Sequence, residues 1–397
     1  MTRLPGPVHL RQVRTGNLQA LLVAILDGPA SRAELAQRTG LTKATVASLV
    51  EPLLRQRILA EDPVVNAGRG RPSRPLRFSD AAPVAIGVEI NVRHLAVTVQ
   101  RLDGSTAAER RVEIDNRRRG IDELIDSVAG LVSATLTESG REPLGIGLAV
   151  PGIVHGDTVV HAPNVPALTG SRIGERLAAA LGMPMVMVDN EANLAALAHL
   201  WPQRLAGDDF VYVSGDVGIG AGIVLGGSLF RGGSGFAGEL GHVIIERGGR
   251  PCTCGSYGCV EQYAGLHAIL AAAGARGLGA LHDALRQGDT RSRSAVNCAG
   301  SALGTALASL INVCDVGTVV LGGGYATLFD DLAPGVRAEL GSGVLAAVRR
   351  PVTLTVSPFG RTAVARGAAA LITRRCCLAP ELLSATVPSA DGRSTTG

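Results

Sequence analysis

The sequence predicts an α/β protein, a two-lobed body preceded by a small, mostly helical head, and three observations carry this. Strands alternate with helices from Val84 onward, the order of a layered α/β domain. A strand, glycine turn, strand pattern occurs early in the body and again at Phe210, so its halves look like a degenerate duplication. Charge is also divided: residues 1–78 hold twelve Lys/Arg against five Asp/Glu, and the remainder holds 26 against 29. A basic head on a slightly acidic body points to nucleic-acid contact at one end. The 397 residues, 46% hydrophobic and 18% charged, are globular in composition and long enough for two or three domains.

In the head, Asn17–Leu26 has helical period, with Leu18, Leu21, Leu22, Ile25 and Leu26 on one side. Ser31 with Glu34 three residues on forms a capping-box pattern that opens a second helix to about Arg38. After the turn Thr39-Gly40-Leu41, Thr42 caps a third helix whose Val46, Leu49, Val50 and Leu53 face the core. Pro52 removes one backbone hydrogen bond, so a kink or an early end is expected there. Helix, short turn, helix is the helix-turn-helix arrangement. Thr42, Lys43, Thr45 and Ser48 are the outward polar residues at the start of the helix expected in the major groove. Ile58–Val65 and Arg74–Phe78 read as strands flanking a wing whose Arg69 and Arg71 suit a narrow minor groove. The other reading of this head is a helical interaction module with a solvated basic face. Its expected extent is 1–79, with a linker at 80–83.

The body begins with strands at 84–92, 94–102 and 109–114, a helix at about 120–138 and the strand 144–150. A hairpin after Pro151-Gly152, a helix near Ile173–Leu181 and a strand entering DNEAN complete a first lobe, expected over 84–193. A second lobe, carrying the metal site, is expected over 194–361; its strand pattern restarts at Phe210, with helices at about 263–273, 278–286 and 291–312 and the strand VGTVVLGGG. A terminal helix near 362–375 is assigned to the first lobe. The polar residues 378–397 are expected to be a disordered tail.

The stretch from Phe210 to Gly265 organises the chain. Gly218, Gly220 and Gly222 are followed by strand and not by helix, which excludes a dinucleotide fingerprint. Such a turn either cradles an anion with its amides or is simply tight. His242, Cys252, Cys254 and Cys259 follow in the spacing H-x9-C-x-C-x4-C, ligand chemistry suited to a closed, structural zinc site. The competing readings are reduced thiols or a disulfide. Cys298, Cys314, Cys376 and Cys377 are expected as buried thiols. Neither a secretory signal nor an apolar run of membrane-spanning length is evident, so a cytoplasmic protein is expected.

The elements GDVGIGAGIV, GFAGELGH and CTCGSYGCVE, in this order, resemble the ROK (repressor, open reading frame, kinase) family over roughly 83–375. The resemblance implies an actin-like (ribonuclease H-like) two-lobed fold. It also implies sugar contacts at Gly152, Asn164, Asn190, Glu191, Glu239, His242 and Glu261, with the metal shaping the sugar loops. A kinase of the family has an Asp base in its NDAN element, where this chain has Glu191, and a DxGGT phosphate loop, where it has Glu89, Asn91 and Val92. The second phosphate loop carries Asp216 and Val217 where the family has threonine. Glycines 322–324 keep the adenine-side element. These departures predict lost kinase activity, with Glu191 a vestigial base.

The resulting expectation is a sugar-responsive regulator, most simply a repressor, that binds double-stranded operator DNA. Its effector would be a sugar or sugar phosphate, and its assembly a homodimer, with a tetramer left open. The alternatives are an ATP-dependent sugar kinase carrying a DNA-binding head and a constitutive DNA-binding scaffold.

Overall fold

The computed structural model describes residues 10–63 and 73–385. Its first three helices are α1 (Leu10–Leu26), α2 (Arg32–Thr39) and α3 (Lys43–Arg55). The Glu34 N–H donates to Ser31 Oγ at 3.2 Å and the Ser31 N–H to Glu34 Oε2 at 2.7 Å, closing the expected capping box. Thr42 caps α3 by accepting the Thr45 N–H at 3.1 Å, and Val46, Leu49, Val50 and Leu53 are buried.

Two expectations change here. Helix α1 starts at Leu10 and not Asn17, because once its packed part is formed each added residue brings one more backbone bond. Helix α3 does not end at Pro52 but runs to Arg55. Burial of Leu49, Val50 and Leu53 on one side of α3 outweighs the single bond that proline removes, and the Pro52 carbonyl still accepts the Gln56 N–H at 3.0 Å.

Antiparallel strands β1 (Leu59–Glu61) and β2 (Leu76–Phe78) follow, shorter than expected. Arg69 and Arg71 lie outside the described residues. The expected linker is a turn in which the Ala82 N–H donates to Ser79 O at 3.0 Å. The head does more than hang from it, because Leu21, Leu22 and Ile25 of α1 share one apolar cluster with Ile372, Cys376, Cys377 and Leu383 near the C-terminus.

The first lobe contains β3 (Val84–Ile90), β4 (His94–Gln100), β5 (Thr106–Glu113), α4 (Ile121–Ser139) and β6 (Pro143–Val150). It continues through the hairpin β7 (Ile153–His155) and β8 (Thr158–His161), α5 (Ile173–Leu181), β9 (Val186–Asn190) and α6 (Glu191–Leu200). The second contains β10 (Phe210–Gly215), β11 (Ile219–Leu225), β12 (Ser228–Leu229), α7 (Glu261–Ala264), α8 (Leu266–Ala273), α9 (Leu278–Arg286) and α10 (Thr290–Cys314). Then come β13 (Thr318–Gly323), α11 (Gly324–Thr327), α12 (Phe329–Gly343), β14 (Thr353–Val356), α13 (Ala363–Leu378) and α14 (Glu381–Ala385).

The duplication is visible in the sheets, ordered β5-β4-β3-β6-β9 and β12-β11-β10-β13-β14. In each, the first strand of the lobe pairs antiparallel with its hairpin partner and parallel with the next strand: β3 with β4 and β6, β10 with β11 and β13. Helix α13 seats on the first sheet because that sheet offers glycine there. A Cβ on Gly87 would lie 1.9 Å from Ala365 O, and one on Gly147 1.9 Å from Ala368 O. Helix α6 packs against both α13 and β11, so it links the lobes, and a boundary at 193 falls inside it.

Further corrections concern α12 and β14, which sequence reading left out, and the segment 378–397. That segment includes the end of α13 and α14, with Leu383 fully buried. Helix α10 is long and apolar enough to span a membrane by length and composition, but it packs within the second-lobe core. Gly218 belongs to the turn, whereas Gly220 and Gly222 lie within β11, where α6 approaches closely.

Candidate functional site

Between β11 and α7 the chain is mostly loop, and its reversals are local. Gly258 has φ +78°, and a Cβ there would meet Glu246 O at 1.7 Å. The Cys252 N–H donates to Ser256 O at 2.9 Å, and Cys259 pairs with Ile244 in an isolated bridge. These turns bring His242, Cys252, Cys254 and Cys259 together, with one donor atom from each all within 4.8 Å of one another. His242 Nδ1 lies 3.8 Å from Cys252 Sγ, and Cys254 Sγ lies 3.7 Å from Cys259 Sγ. Burial opposes ionisation at Cys252, yet hydrogen bonds from Cys254 and His242 draw that thiol down to about 7. Burial and the neighbouring thiols push Cys259 up to about 12. The donor set fits a metal ion: three soft thiols and an imidazole converge, and a cation would offset the repulsion that ionising them together creates.

The other nitrogen of His242, Nε2, is 3.9 Å from Glu239 Oε2. Glu239 is half-buried, and its carboxyl is raised by burial and Glu261, against the pull of His242 and of His161 at the end of β8. Glu239, His242, Glu261 and His161 therefore form one group contributed by both lobes. Sequence reading missed His161, which only the hairpin brings across. Glu261 Oε2 accepts the Ile219 N–H at 3.0 Å, which leaves its second oxygen for a ligand.

The remaining expected sugar residues differ in how free they are. Asn190 Oδ1 caps α6 by accepting the Ala192 and Asn193 N–H groups, and its Nδ2 donates to Gly152 O at 2.9 Å. Asn190 and the Gly152 turn therefore brace one another. Asn164 is exposed on the loop after β8, with no hydrogen bond to the others among the described residues. Glu191 is half-buried at the start of α6, and burial, with Glu89 and Asp216 nearby, pushes its carboxyl up to about 8.

The expected phosphate loops are filled by the protein itself. Glu89 is buried with its Oε1 3.0 Å from His94 Nε2, and Glu89 Oε2 has no partner among the described residues. Asn91 Oδ1 accepts the Arg93 N–H at 3.1 Å and Val92 is buried, so this turn closes on its own side chains. Asp216 Oδ1 accepts the Gly324 N–H at 3.0 Å, and its carboxyl is raised by burial and by Glu89.

In the head, Thr42, Lys43 and Ser48 are exposed and Thr45 is half-buried. The Thr42 and Thr45 hydroxyls are 2.9 Å apart, which ties both to the cap.

Two duplicated α/β lobes, with a Cys/His cluster beside their shared acidic group, place the body among the two-lobed, actin-like folds, here joined to a helical head. Residues 85–375 match the ROK family model, and the chain belongs to the ROK family. The xylose repressor of Bacillus subtilis (strain 168) is 28% identical over 372 residues, covering 91% of this chain and 95% of that protein. The crystal structure of a ROK family transcriptional regulator, a homologue of the E. coli MLC protein, shares the fold. It aligns with TM-score 0.79 at 24% identity, covering 94% of this chain and 99% of its own. A ROK family glucokinase from Streptomyces griseus, in complex with glucose and AMPPNP, aligns with TM-score 0.64 at 26% identity, covering 72% of this chain and 98% of its own.

Proposed function

We propose that this chain is a sugar-responsive, DNA-binding transcriptional repressor whose body holds a sugar without phosphorylating it. The observation that carries this reading is coverage. The xylose repressor matches head and body together, whereas the glucokinase, nearly complete in its own alignment, leaves more than a quarter of this chain unmatched.

In this reading residues 1–79 form a winged helix-turn-helix domain, with α3 entering the major groove and Lys43 and Ser48 facing DNA. The sugar lies against Glu239, His242, Glu261 and Glu191 between the lobes, with Asn164 closing over it and Asn190 and Gly152 bracing the floor. The Cys/His cluster would take a zinc ion. In a tetrahedral site two sulfurs would lie about 3.8 Å apart and a sulfur and an imidazole nitrogen about 3.5 Å apart, beside the 3.7 Å of Cys254–Cys259 and the 3.8 Å of His242–Cys252. His242 Nδ1 and the three cysteine sulfurs would hold the ion, a structural role that would fix the imidazole with Nε2 beside Glu239.

Loss of kinase chemistry follows from the loops and from charge. Asn91 and Val92 bring side chains into one phosphate loop, Asp216 adds a carboxyl group to the other, and a Glu191 raised to about 8 is protonated at neutral pH, so it takes no proton from a hydroxyl. Sugar binding would favour one lobe arrangement, passed to the heads of a homodimer through α13, which packs against α1.

The test is selection of duplexes from a random DNA library by the full-length protein, followed by titration of the selected duplex with xylose, glucose and N-acetylglucosamine. Enrichment of one inverted-repeat sequence, released by one sugar, supports the reading; failure to enrich any sequence contradicts it.

A further inference from the structure

A cavity of about 450 Å³ lies between the β7–β8 hairpin, β9, the C-terminal half of α13 and the loop after β12. None of the proposed sugar contacts lines it. Its charged lining is Arg231, Arg374 and Arg375 against Asp157 and Asp189. Asp189 is already committed: Oδ2 takes Arg231 Nε and Nη2 at 2.9 and 2.5 Å, and Oδ1 accepts the Asn190 N–H and Asn193 Nδ2.

Arg374 is different. It is half-buried, and among the described residues it has neither an ion-pair nor a hydrogen-bond partner. Burial, then Arg231 and Arg204, work against its charge. A guanidinium with five donors, partly withdrawn from water and facing a second cation, is an unfavourable arrangement until an acceptor completes it. Arg375 adds a third, exposed cation at the rim, also without a partner among the described residues.

We propose that this cavity binds a small phosphate ester, its phosphoryl group held by the Arg374 and Arg231 guanidinium groups and its carbon skeleton lying on Leu371 and Leu378. Guanidinium forks match phosphate oxygens in pairs, and a dianion answers two cations where one carboxylate answers one. The volume exceeds that of a bare ion and leaves room for a few carbons. The position gives the ligand a consequence: Arg231 belongs to the second lobe and Arg374 to α13, so one bound phosphoryl group ties the lobes. Leu378, on the cavity wall, accepts through its carbonyl a hydrogen bond from Gln19 of α1, so the same ligand bears on the head.

The test is calorimetric titration of the full-length protein with glycerol 3-phosphate at constant ionic strength, beside glycerol and succinate. Glycerol 3-phosphate lacks a sugar ring and so avoids the interlobe cleft. The expected result is saturable binding of the phosphate ester in preference to both controls, weakened about tenfold or more by Arg374→Met. Without ligand, Arg374→Met should melt at or above the parent temperature, because it removes an unpaired, half-buried charge. Arg374→Lys, which keeps the charge and loses the fork, should bind with intermediate affinity. No saturable binding by the parent, equal affinity in Arg374→Met or Arg374→Lys, or preference for succinate would each overturn the proposal.

Discussion

The side-chain carboxyl of Asp216 accepts the backbone N–H of Gly324 at 3.0 Å, so the glycine element where β13 passes into α11 is already occupied by a group of the protein itself. A nucleotide phosphate would have to displace that carboxyl group and sit beside Glu89 as well. The expected outcome is that millimolar Mg-ATP leaves the melting temperature unchanged and that no common sugar elicits ATP consumption. Sugar-dependent turnover that disappears in Glu191→Ala would restore the kinase reading.

Glu191 makes stability fall with rising pH. Its carboxyl is raised from 4.5 to about 8 by burial, then by Glu89 and Asp216. Below 4.5 both folded and unfolded chains hold the proton and the contribution is complete; between 4.5 and about 8 only the folded chain keeps it. Stability therefore declines through this window, by at most about 1.4 kcal/mol per pH unit, and the contribution is gone above it. Glu191→Gln, which imitates the protonated form, should flatten the decline and melt higher than the parent at pH 8. Parallel pH profiles for the two proteins would count against this.

Metal analysis of protein purified without chelators should find about one zinc per chain. Cys254→Ser should lose it and melt at a lower temperature, and a strong chelator should lower the parent's melting temperature toward that of the variant. Metal-free parent protein with unchanged stability would refute the zinc assignment.

In the head, Lys43→Ala should weaken DNA binding across sequences and reduce the dependence of log affinity on log salt by about one. Thr42→Ala should destabilise the head by about 1 kcal/mol through loss of its cap. Unchanged affinity and salt slope in Lys43→Ala would move the DNA surface away from α3.

Much of this was legible in the sequence because it is local. The Ser31–Glu34 box, the Thr42 cap and the Val46, Leu49, Val50, Leu53 stripe involve residues three or four apart. The His/Cys spacing likewise lies within one loop. What was hidden depends on contacts between distant segments. His161 comes within electrostatic reach of Glu239, and Arg231 pairs with Asp189, only after two lobes fold against each other. Helix α12 was obscured by Pro334 and Gly335 in its interior, residues that argue against helix unless packing overrides them. Gly220 and Gly222 read as a turn, but they sit in β11 facing α6, where a Cβ on Gly222 would meet Ala192 O at 2.5 Å and Ala196 Cβ at 2.6 Å, and one on Gly220 would lie 3.1 Å from Ala192 Cβ.

In the proposed function one cleft senses a sugar and one head answers on DNA, and Glu239 separates the two. Glu239→Ala removes a cleft carboxylate and touches no residue of the head. Fluorescence anisotropy of the selected operator, titrated with the releasing sugar, should show sugar-dependent release for the parent. Glu239→Ala should bind the operator with the parent's sugar-free affinity and fail to release it. Release of Glu239→Ala at the same sugar concentration as the parent would contradict the account.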